Sequence, residues 1–366
     1  MSKPAYRVGV IGFAHMHVND LVDRFAATGR SPIVACADTI PATPSMITME
    51  GSRNANLARA LAGADRPTHY ADYRAMLAEA GLDIVIMCPE IAVHAEIAEA
   101  VAAVGAHIVT EKPMAGSLAD AHRMVAAATA AGVVLATNWP ITWRPAIRRA
   151  RELLAAGAIG DVFQFKWRNG PSLGPLAHGS AHPGNTVIGL VSQAEKAAEW
   201  WHQAAAGGGA LLDYCCYGAC LAAWLLDAEA VSVQGMKANL MSPGDADDNA
   251  ALLVRFPRAT AMIEASWTTF HGGLPGGPII FGSHGTMIVD GTDIRIYGER
   301  GNPAPTRVEQ GDPLPAGRTG IADEVLHHLE TGEALHPTLD VALNLATVAI
   351  LDAGIRSAAS GTAASV

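Results

Sequence analysis

Three side chains of this chain are of types that transfer protons: Lys112, Asp213 and Tyr217. Asp213 and Tyr217 lie four residues apart in the apolar segment 210–226, so we expect both on one face of a buried helix. A carboxylate and a phenol on such a helix must satisfy each other or face a polar cavity. Lys112 follows a glutamate and precedes a proline, and it ends a predicted strand. The spacing therefore favours either a structural Asp–Tyr hydrogen bond or an acid–base site.

The first 140 residues predict the elements that would position Lys112. Strands and helices alternate along them, which is typical of a doubly wound parallel sheet with helices on both faces. Ligands of such sheets bind beyond the carboxyl ends of the strands. The predicted strand ends carry Gly12, Asp38, Cys88-Pro89-Glu90, Glu111-Lys112-Pro113 and Asn138-Trp139-Pro140.

The turn after the first strand is the predicted phosphate-binding site. It lies where the pattern G-x-G-x-x-G would stand, but of the three glycines only Gly12 is present, with Ala14 and His17 in the other two positions. Free amide groups at the start of the next helix would face an anion. Asp38 ends the second strand, where a carboxylate accepts hydrogen bonds from the adenosine ribose and repels a 2′-phosphate. We therefore expect NAD, with NADP less favoured.

Together these features resemble the Gfo/Idh/MocA oxidoreductase family. The resemblance spans residues 6–226 and rests on the N-terminal turn, Asp38, Cys88-Pro89 with His94, the Glu-Lys-Pro segment and the 207–220 segment. It implies an N-terminal Rossmann domain, residues 1–140, and a C-terminal α/β domain with a largely antiparallel open sheet, residues 141–366. The implied cofactor-binding residues are Gly12, Phe13, Ala14, His15, Asp38, Cys88, Pro89, His94, Glu111, Lys112 and Asn138.

The central helix departs from the family pattern Asp-x-Gly-x-His-x-x-Asp. Asp213, Cys215, Tyr217 and Cys220 stand at its four positions. Tyrosine in the histidine position resembles the branch of glucose–fructose oxidoreductase and the dimeric dihydrodiol dehydrogenases, which implies a sugar, polyol or cyclic diol as substrate. Lys112, Asp213 and Tyr217 are then the expected catalytic residues.

A nicotinamide dehydrogenase needs a group to accept the hydroxyl proton of its substrate. A phenol serves at neutral pH only if its pKa falls by about three units, which costs about 4 kcal/mol. The Lys112 ammonium could supply this shift, and Lys112 could itself be the base; the sequence does not rank the two. Two other functions stay open: glycoside cleavage by transient oxidation and elimination, with a histidine of the 171–198 segment such as His178 or His182, and a non-catalytic dinucleotide-binding regulator.

The remaining predictions concern substrate and partners. Residues that could line a substrate site are Trp143, Arg168, His182, Trp200, Trp201, Trp267 and His271. A net charge of −10 argues against nucleic acid as a partner. We also expect no metal site, no membrane span, reduced cysteines in a cytoplasmic protein, and a homodimer or homotetramer.

Overall fold

A computed structural model describes residues 5–169, 191–269 and 277–366. Two sheets organise this part of the chain. The first is a six-stranded parallel sheet in the order β3-β2-β1-β4-β5-β6, the Rossmann order with its switch point between β1 and β4. Its strands are β1 (Val8–Ile11), β2 (Ile33–Ala37), β3 (Thr68–Tyr70), β4 (Ile84–Met87), β5 (His107–Glu111) and β6 (Leu135–Asn138).

Helices cover both faces of this sheet. They are α1 (His17–Ala27), α2 (Arg53–Ala62), α3 (Tyr73–Glu79), α4 (His94–Ala103) and α5 (Leu118–Ala131). The central strands β1 and β4 are buried along their whole length, so their apolar residues contact helices on both sides. The prediction of a doubly wound parallel sheet is confirmed, although α2 and β3 were missed.

The second sheet is mixed and largely antiparallel, as the resemblance implied. Its described strands run in the order β14-β13-β12-β11-β7-β10-β9-β8-β15, and only β7 and β10 pair in parallel. They are β7 (Val162–Asn169), β8 (Ser232–Ala238), β9 (Asn249–Arg255), β10 (Thr260–Ser266), β11 (Ile279–Gly282), β12 (Gly285–Asp290), β13 (Asp293–Tyr297), β14 (Arg307–Gln310) and β15 (Ala364–Ser365).

One face of the second sheet is covered by helices and the other is open. The remaining helices are α6 (Pro145–Ala155), α7 (Gln193–Ala198), α8 (Cys216–Leu226), α9 (Ile321–Thr331) and α10 (Val341–Ser360). Helix α8 lies against β7 and β10, where a Cβ on Gly218 would stand 2.6 Å from Trp167 Cδ1. Residue 218 must therefore lack a side chain for the helix to come this close.

The C-terminal helices return to the first sheet. Ile321 and Val325 of α9 share a core with Val8 and Val10 of β1. The predicted boundary near residue 140 stays a prediction, because the chain after it contributes to the core of both sheets.

Two helical segments, 204–226 and 341–360, are long and apolar enough to cross a membrane by length and composition. In the first, 89% of the most apolar window is buried inside the protein, and the core helix of a globular protein meets the same criterion. Helix α8 is buried on every side, from Cys216 to Leu225, so we interpret it as a core helix.

Candidate active site

The turn between β1 and α1 is fastened to the end of β4. The amides of Ala14 and His15 donate to the Cys88 carbonyl oxygen at 3.0 and 3.3 Å. Gly12 has φ +82°, and a Cβ there would lie 2.5 Å from the backbone of Pro89. The turn therefore requires glycine at its first position, and two amides that we expected to face an anion are engaged within the protein.

Asp38 presents one free carboxylate oxygen at the end of β2. Its Oδ1 accepts the amides of Phe13 and Thr39 at 3.2 and 2.8 Å, and Arg53 Nη1 at 2.6 Å. Its Oδ2 accepts no hydrogen bond from any residue that the structure describes. The bonds to Oδ1 hold the carboxylate in place and leave Oδ2 available as an acceptor. This arrangement fits the ribose hydroxyls that Asp38 is predicted to bind.

His15 and His17 form a polar cluster with Glu111 beside this turn. His17 Nδ1 lies 2.7 Å from Glu111 Oε1, and Asn138 Nδ2 donates to Glu111 Oε2 at 2.9 Å. His15 Nδ1 accepts the His17 amide, and within the described ranges the buried Nε2 has no hydrogen-bond partner. Burial and the charge of His17 hold the pKa of His15 well below its usual range, so its Nε2 carries a proton.

That unpaired Nε2–H is a donor available to a bound anion, which fits the pyrophosphate of a dinucleotide. One ligand atom from each of His15, His17 and Glu111 lies within 4.8 Å of the others, so the same cluster has the residue types of a cation site. The sequence predicted no metal, and that stays a prediction.

Two tryptophans of the chain's second half cover the turn. Trp200 Nε1 donates to the Ala14 carbonyl oxygen at 2.8 Å, and the Trp201 ring lies 4.6 Å from the ring of His15. Trp201 was predicted to line a substrate site. Its ring contacts are with His15 and Trp200, on the dinucleotide side.

His94 fixes the segment that follows Lys112. Its Nδ1 donates to the Met114 carbonyl oxygen at 3.0 Å. Burial lowers the pKa of His94, so the ring is neutral at pH 7. The residues at the ends of β4 and β5 are thereby joined, which positions the Lys112 backbone.

Lys112 and Asp213 form a buried ion pair. Lys112 Nζ donates to Asp213 Oδ1 at 2.8 Å and to the Asp213 carbonyl oxygen at 2.9 Å. The side chains are 2% and 7% exposed, so solvent screens this pair weakly. The other carboxylate oxygen, Oδ2, accepts Trp267 Nε1 at 3.2 Å. Trp267, considered in the sequence only as a possible lining residue, thus orients Asp213.

A π-helical turn, Leu211–Cys215, places Asp213 at the start of α8. Such turns insert an extra residue into a helix and are frequent at functional sites. Three consecutive glycines, Gly207, Gly208 and Gly209, precede it, a composition that is typical of a flexible segment. They are tightly packed instead: a Cβ on Gly208 would stand 2.3 Å from the Trp201 carbonyl oxygen, and one on Gly209 2.6 Å from Asp247 Oδ1.

Asp247 holds the start of this turn, because its backbone oxygen and its carboxylate accept the amides of Ala210 and Leu211, each at 2.8 Å. The glycines are therefore required by close approach, and the helix start is rigidly anchored.

Tyr217 lies one helical turn beyond Asp213, as its spacing predicted. Lys112 Nζ is 4.7 Å from the centre of its ring, and the edge of Trp139 packs against it at 5.9 Å between centroids. Its hydroxyl makes no hydrogen bond within the described ranges, so the predicted alternative of a structural Asp213–Tyr217 bond is not what the geometry shows.

The pKa of Tyr217 is not lowered by Lys112 to neutral pH, as a phenol base would require. Burial raises the pKa of Tyr217 above its usual range, and the opposing charge of Lys112 lowers it by less. Burial lowers the pKa of Lys112, but neighbouring acidic groups, Asp213 first among them, outweigh burial and raise it well above its usual range. Both groups carry their protons at neutral pH.

Two predicted substrate residues lie away from the group formed by Lys112, Asp213 and Tyr217. Arg168 pairs with Glu264 at 3.4 Å, and alternation along β7 points it to the open face, opposite the Trp167 side that packs on α8. Trp143 packs against Arg148 at 4.7 Å and His336 at 6.3 Å, in the core shared with β1. Its described contacts include none of the three proton-carrying residues.

Three other predicted residues, His178, His182 and His271, lie outside the described residues. The sequence interpretation also missed Arg53 and Glu199, and it gave Glu90 no role. Glu90 stands at a strand end, which is a usable signal, but Arg53 begins a helix that was not predicted.

The comparisons with known proteins cover both halves of the chain. A profile described as an oxidoreductase family with an NAD-binding Rossmann fold matches residues 6–139. A profile described as the GFO/IDH/MocA C-terminal domain matches residues 147–302.

Similar proteins act on sugars according to their names. A dTDP-3,4-didehydro-2,6-dideoxy-alpha-D-glucose 3-reductase from Streptomyces violaceoruber is 32% identical over 43% of this chain and 42% of its own length. A D-apiose dehydrogenase from Paraburkholderia graminis is 39% identical over 26% of this chain and 25% of its own. The chain thus matches less than half the length of these curated relatives.

A solved levoglucosan dehydrogenase, in complex with NADH and levoglucosan, shares the fold with a TM-score of 0.75 at 20% identity, covering 99% of both chains. Since the two profiles account for most of the sequence and the structure has the matching sheets, the chain belongs to the Gfo/Idh/MocA oxidoreductase family.

Proposed function

We propose that this protein is a nicotinamide-dependent oxidoreductase that acts on a secondary alcohol or ketone of a sugar, polyol or cyclic diol. The observation that carries the proposal is the buried Lys112–Asp213 pair beside Tyr217, at the carboxyl edge of the dinucleotide-binding sheet. When bound, the nicotinamide supplies the hydride chemistry. The names of the relatives support a sugar-like substrate.

Lys112 has a proton left for the substrate oxygen. An ammonium has three donors, and Asp213 accepts two of them. The third makes no hydrogen bond within the described part of the chain, and Nζ lies 4.7 Å from the centre of the Tyr217 ring. In the reducing direction this proton, or that of Tyr217, goes to the carbonyl oxygen, and in the oxidising direction the same group takes it back. Asp213 keeps Lys112 in place and charged.

The assay that tests this function is NADH formation on a panel of aldoses, anhydrosugars and cyclic diols. The proposal is supported if at least one polyol is oxidised and one NADH forms for each molecule oxidised. Release of reducing sugar from glycosides with no net NADH would indicate oxidation–elimination instead. Bound NAD with neither reaction would indicate a regulator.

We expect NAD to bind better than NADP because Asp38 meets the ribose. Asp38→Ala should narrow this preference, since it removes both a ribose acceptor and a charge that repels a 2′-phosphate. Calorimetric titration of both cofactors into both proteins measures it. If the unmutated protein bound NAD and NADP with equal affinity, Asp38 would not be the residue that selects NAD.

We also propose that two or four copies assemble through the open face of the second sheet. Met236, Leu253 and Met262 are exposed there on three adjacent strands, an apolar group that a second copy would bury. Light scattering should give a dimer or tetramer, and Leu253→Lys should shift it to monomer.

The five cysteines are free and buried, which agrees with the cytoplasmic location that we expect.

A further inference from the structure

Arg53 is held between two carboxylates next to the predicted ribose site. Its side chain is 6% exposed. Nη1 donates to Asp38 Oδ1 at 2.6 Å, and Nη2 donates to Glu90 Oε1. The second oxygen of Glu90 accepts the Thr39 hydroxyl at 2.9 Å. Both ends of the guanidinium are therefore occupied by carboxylates of this chain.

These groups border a cavity of about 360 Å³ between the two halves of the protein. It is lined by Thr39, Ser45, Arg53, Glu90, Glu199 and Trp200, among others. Glu199 comes from the second half and accepts the Ser45 hydroxyl, so it lies in the cavity without bonding Arg53. Two carboxylates thus bind the guanidinium, and a third, Glu199, lines the same cavity, so negative groups outnumber the one positive group there.

An arginine near the ribose ordinarily accommodates the 2′-phosphate of NADP, because its planar fork matches a phosphate. Here that fork is already engaged. We infer that Glu90 contributes to cofactor choice: it occupies Nη2 of Arg53, while Asp38 occupies Nη1, and so keeps this guanidinium from binding a 2′-phosphate. This inference rests on the proposed dinucleotide binding, and it assigns to Glu90 a selectivity that Asp38 alone does not provide.

The consequence is that removing the Glu90 charge should convert Arg53 into a phosphate ligand. In Glu90→Gln the side chain keeps its length and its bond to Thr39, while Arg53 loses one of its two carboxylates. Affinity for 2′,5′-ADP relative to 5′-ADP should rise by roughly tenfold or more, as expected when a like charge is removed and a guanidinium is released. Calorimetry with these two fragments measures binding independently of turnover.

Two matched variants separate this mechanism from a general charge effect. Glu199→Gln makes the same chemical change in the same cavity without freeing Arg53, so the preference should stay near that of the unmutated protein. Glu90→Gln/Arg53→Met removes the released guanidinium, and the gain for 2′,5′-ADP should disappear. Glu90→Ala removes the carboxylate altogether and also frees Arg53. It replaces Glu90→Gln in the test if the melting temperature of Glu90→Gln is well below that of the unmutated protein.

The outcomes are distinct. A selective gain in Glu90→Gln or Glu90→Ala that requires Arg53 supports the inference. An equal gain in Glu199→Gln, or a gain that survives loss of Arg53, overturns it, as does no gain in either folded Glu90 variant. If the unmutated protein binds neither 5′-ADP nor NAD, it is the proposed function that fails.

Discussion

Lys112→Met is expected to lower the rate of hydride transfer by about 10²–10⁴, because the variant lacks the ammonium that exchanges a proton with the substrate oxygen. Affinity for the adenosine half of the cofactor should change only a few-fold, since Asp38 and the turn at Gly12 lie elsewhere on the sheet edge. Single-turnover kinetics for the hydride step and calorimetry with 5′-ADP measure the two quantities separately.

The same variant should also be less stable. Lys112→Met leaves Asp213 buried with Trp267 as its remaining side-chain partner, and breaking a buried ion pair typically costs about 3–5 kcal/mol. Lys112→Met/Asp213→Asn should recover much of that loss without recovering activity. Lys166 lies on the face of β7 that points away from α8. Lys166→Met therefore controls for the loss of a positive charge and should leave the hydride step unchanged. A near-native rate in folded Lys112→Met would contradict the role of Lys112.

Tyr217→Phe is expected to slow the hydride step by about 10²–10⁴ if the hydroxyl exchanges the proton, while the melting temperature hardly changes. The reason for the second expectation is that the hydroxyl has no hydrogen-bond partner among the described residues, so its loss leaves no group unpaired. Tyr73→Phe on α3, which loses a bond to Glu96 instead, is the matched control and should leave the rate unaltered.

The pH dependence follows from the directions of the two pKa shifts. Both Lys112 and Tyr217 have a raised pKa, so both are protonated at neutral pH. Oxidation needs the deprotonated group, and its rate should rise as pH rises into the alkaline range; reduction needs the proton and should fall over the same range. A Tyr217→Phe enzyme that keeps this profile and its rate would assign the proton transfer to Lys112 alone.

Much of the first sheet was predictable because its strands are short apolar runs between turn residues. Strand β2, for example, ends at Ala37, directly before Asp38, where the sequence analysis placed the strand end. Helix α2 was missed because Arg53–Ala62 has polar residues through its first half and no long apolar stripe, and β3 has only three residues. Missing α2 also concealed Arg53, its first residue.

The site was predictable where one local pattern sufficed. Spacing placed Asp213 and Tyr217 on one helix, and the strand ends brought Asp38 and Lys112 to one edge. Contacts between distant segments were not accessible: Trp267 on Asp213, and Trp200 on Ala14, depend on how the two sheets pack. The face on which Arg168 lies was not accessible either, because alternation gives two faces of β7 without saying which of them α8 covers.

The most direct test of the account is to follow NADH by absorbance while the unmutated protein and Lys112→Met are each mixed with NAD and the sugar panel, after calorimetry has shown that both bind 5′-ADP. The account predicts NADH formation with at least one polyol in the unmutated protein and almost none in the variant. Equal rates in the two proteins, or no NADH from any polyol despite bound NAD, would show that this site does not carry out the proposed chemistry.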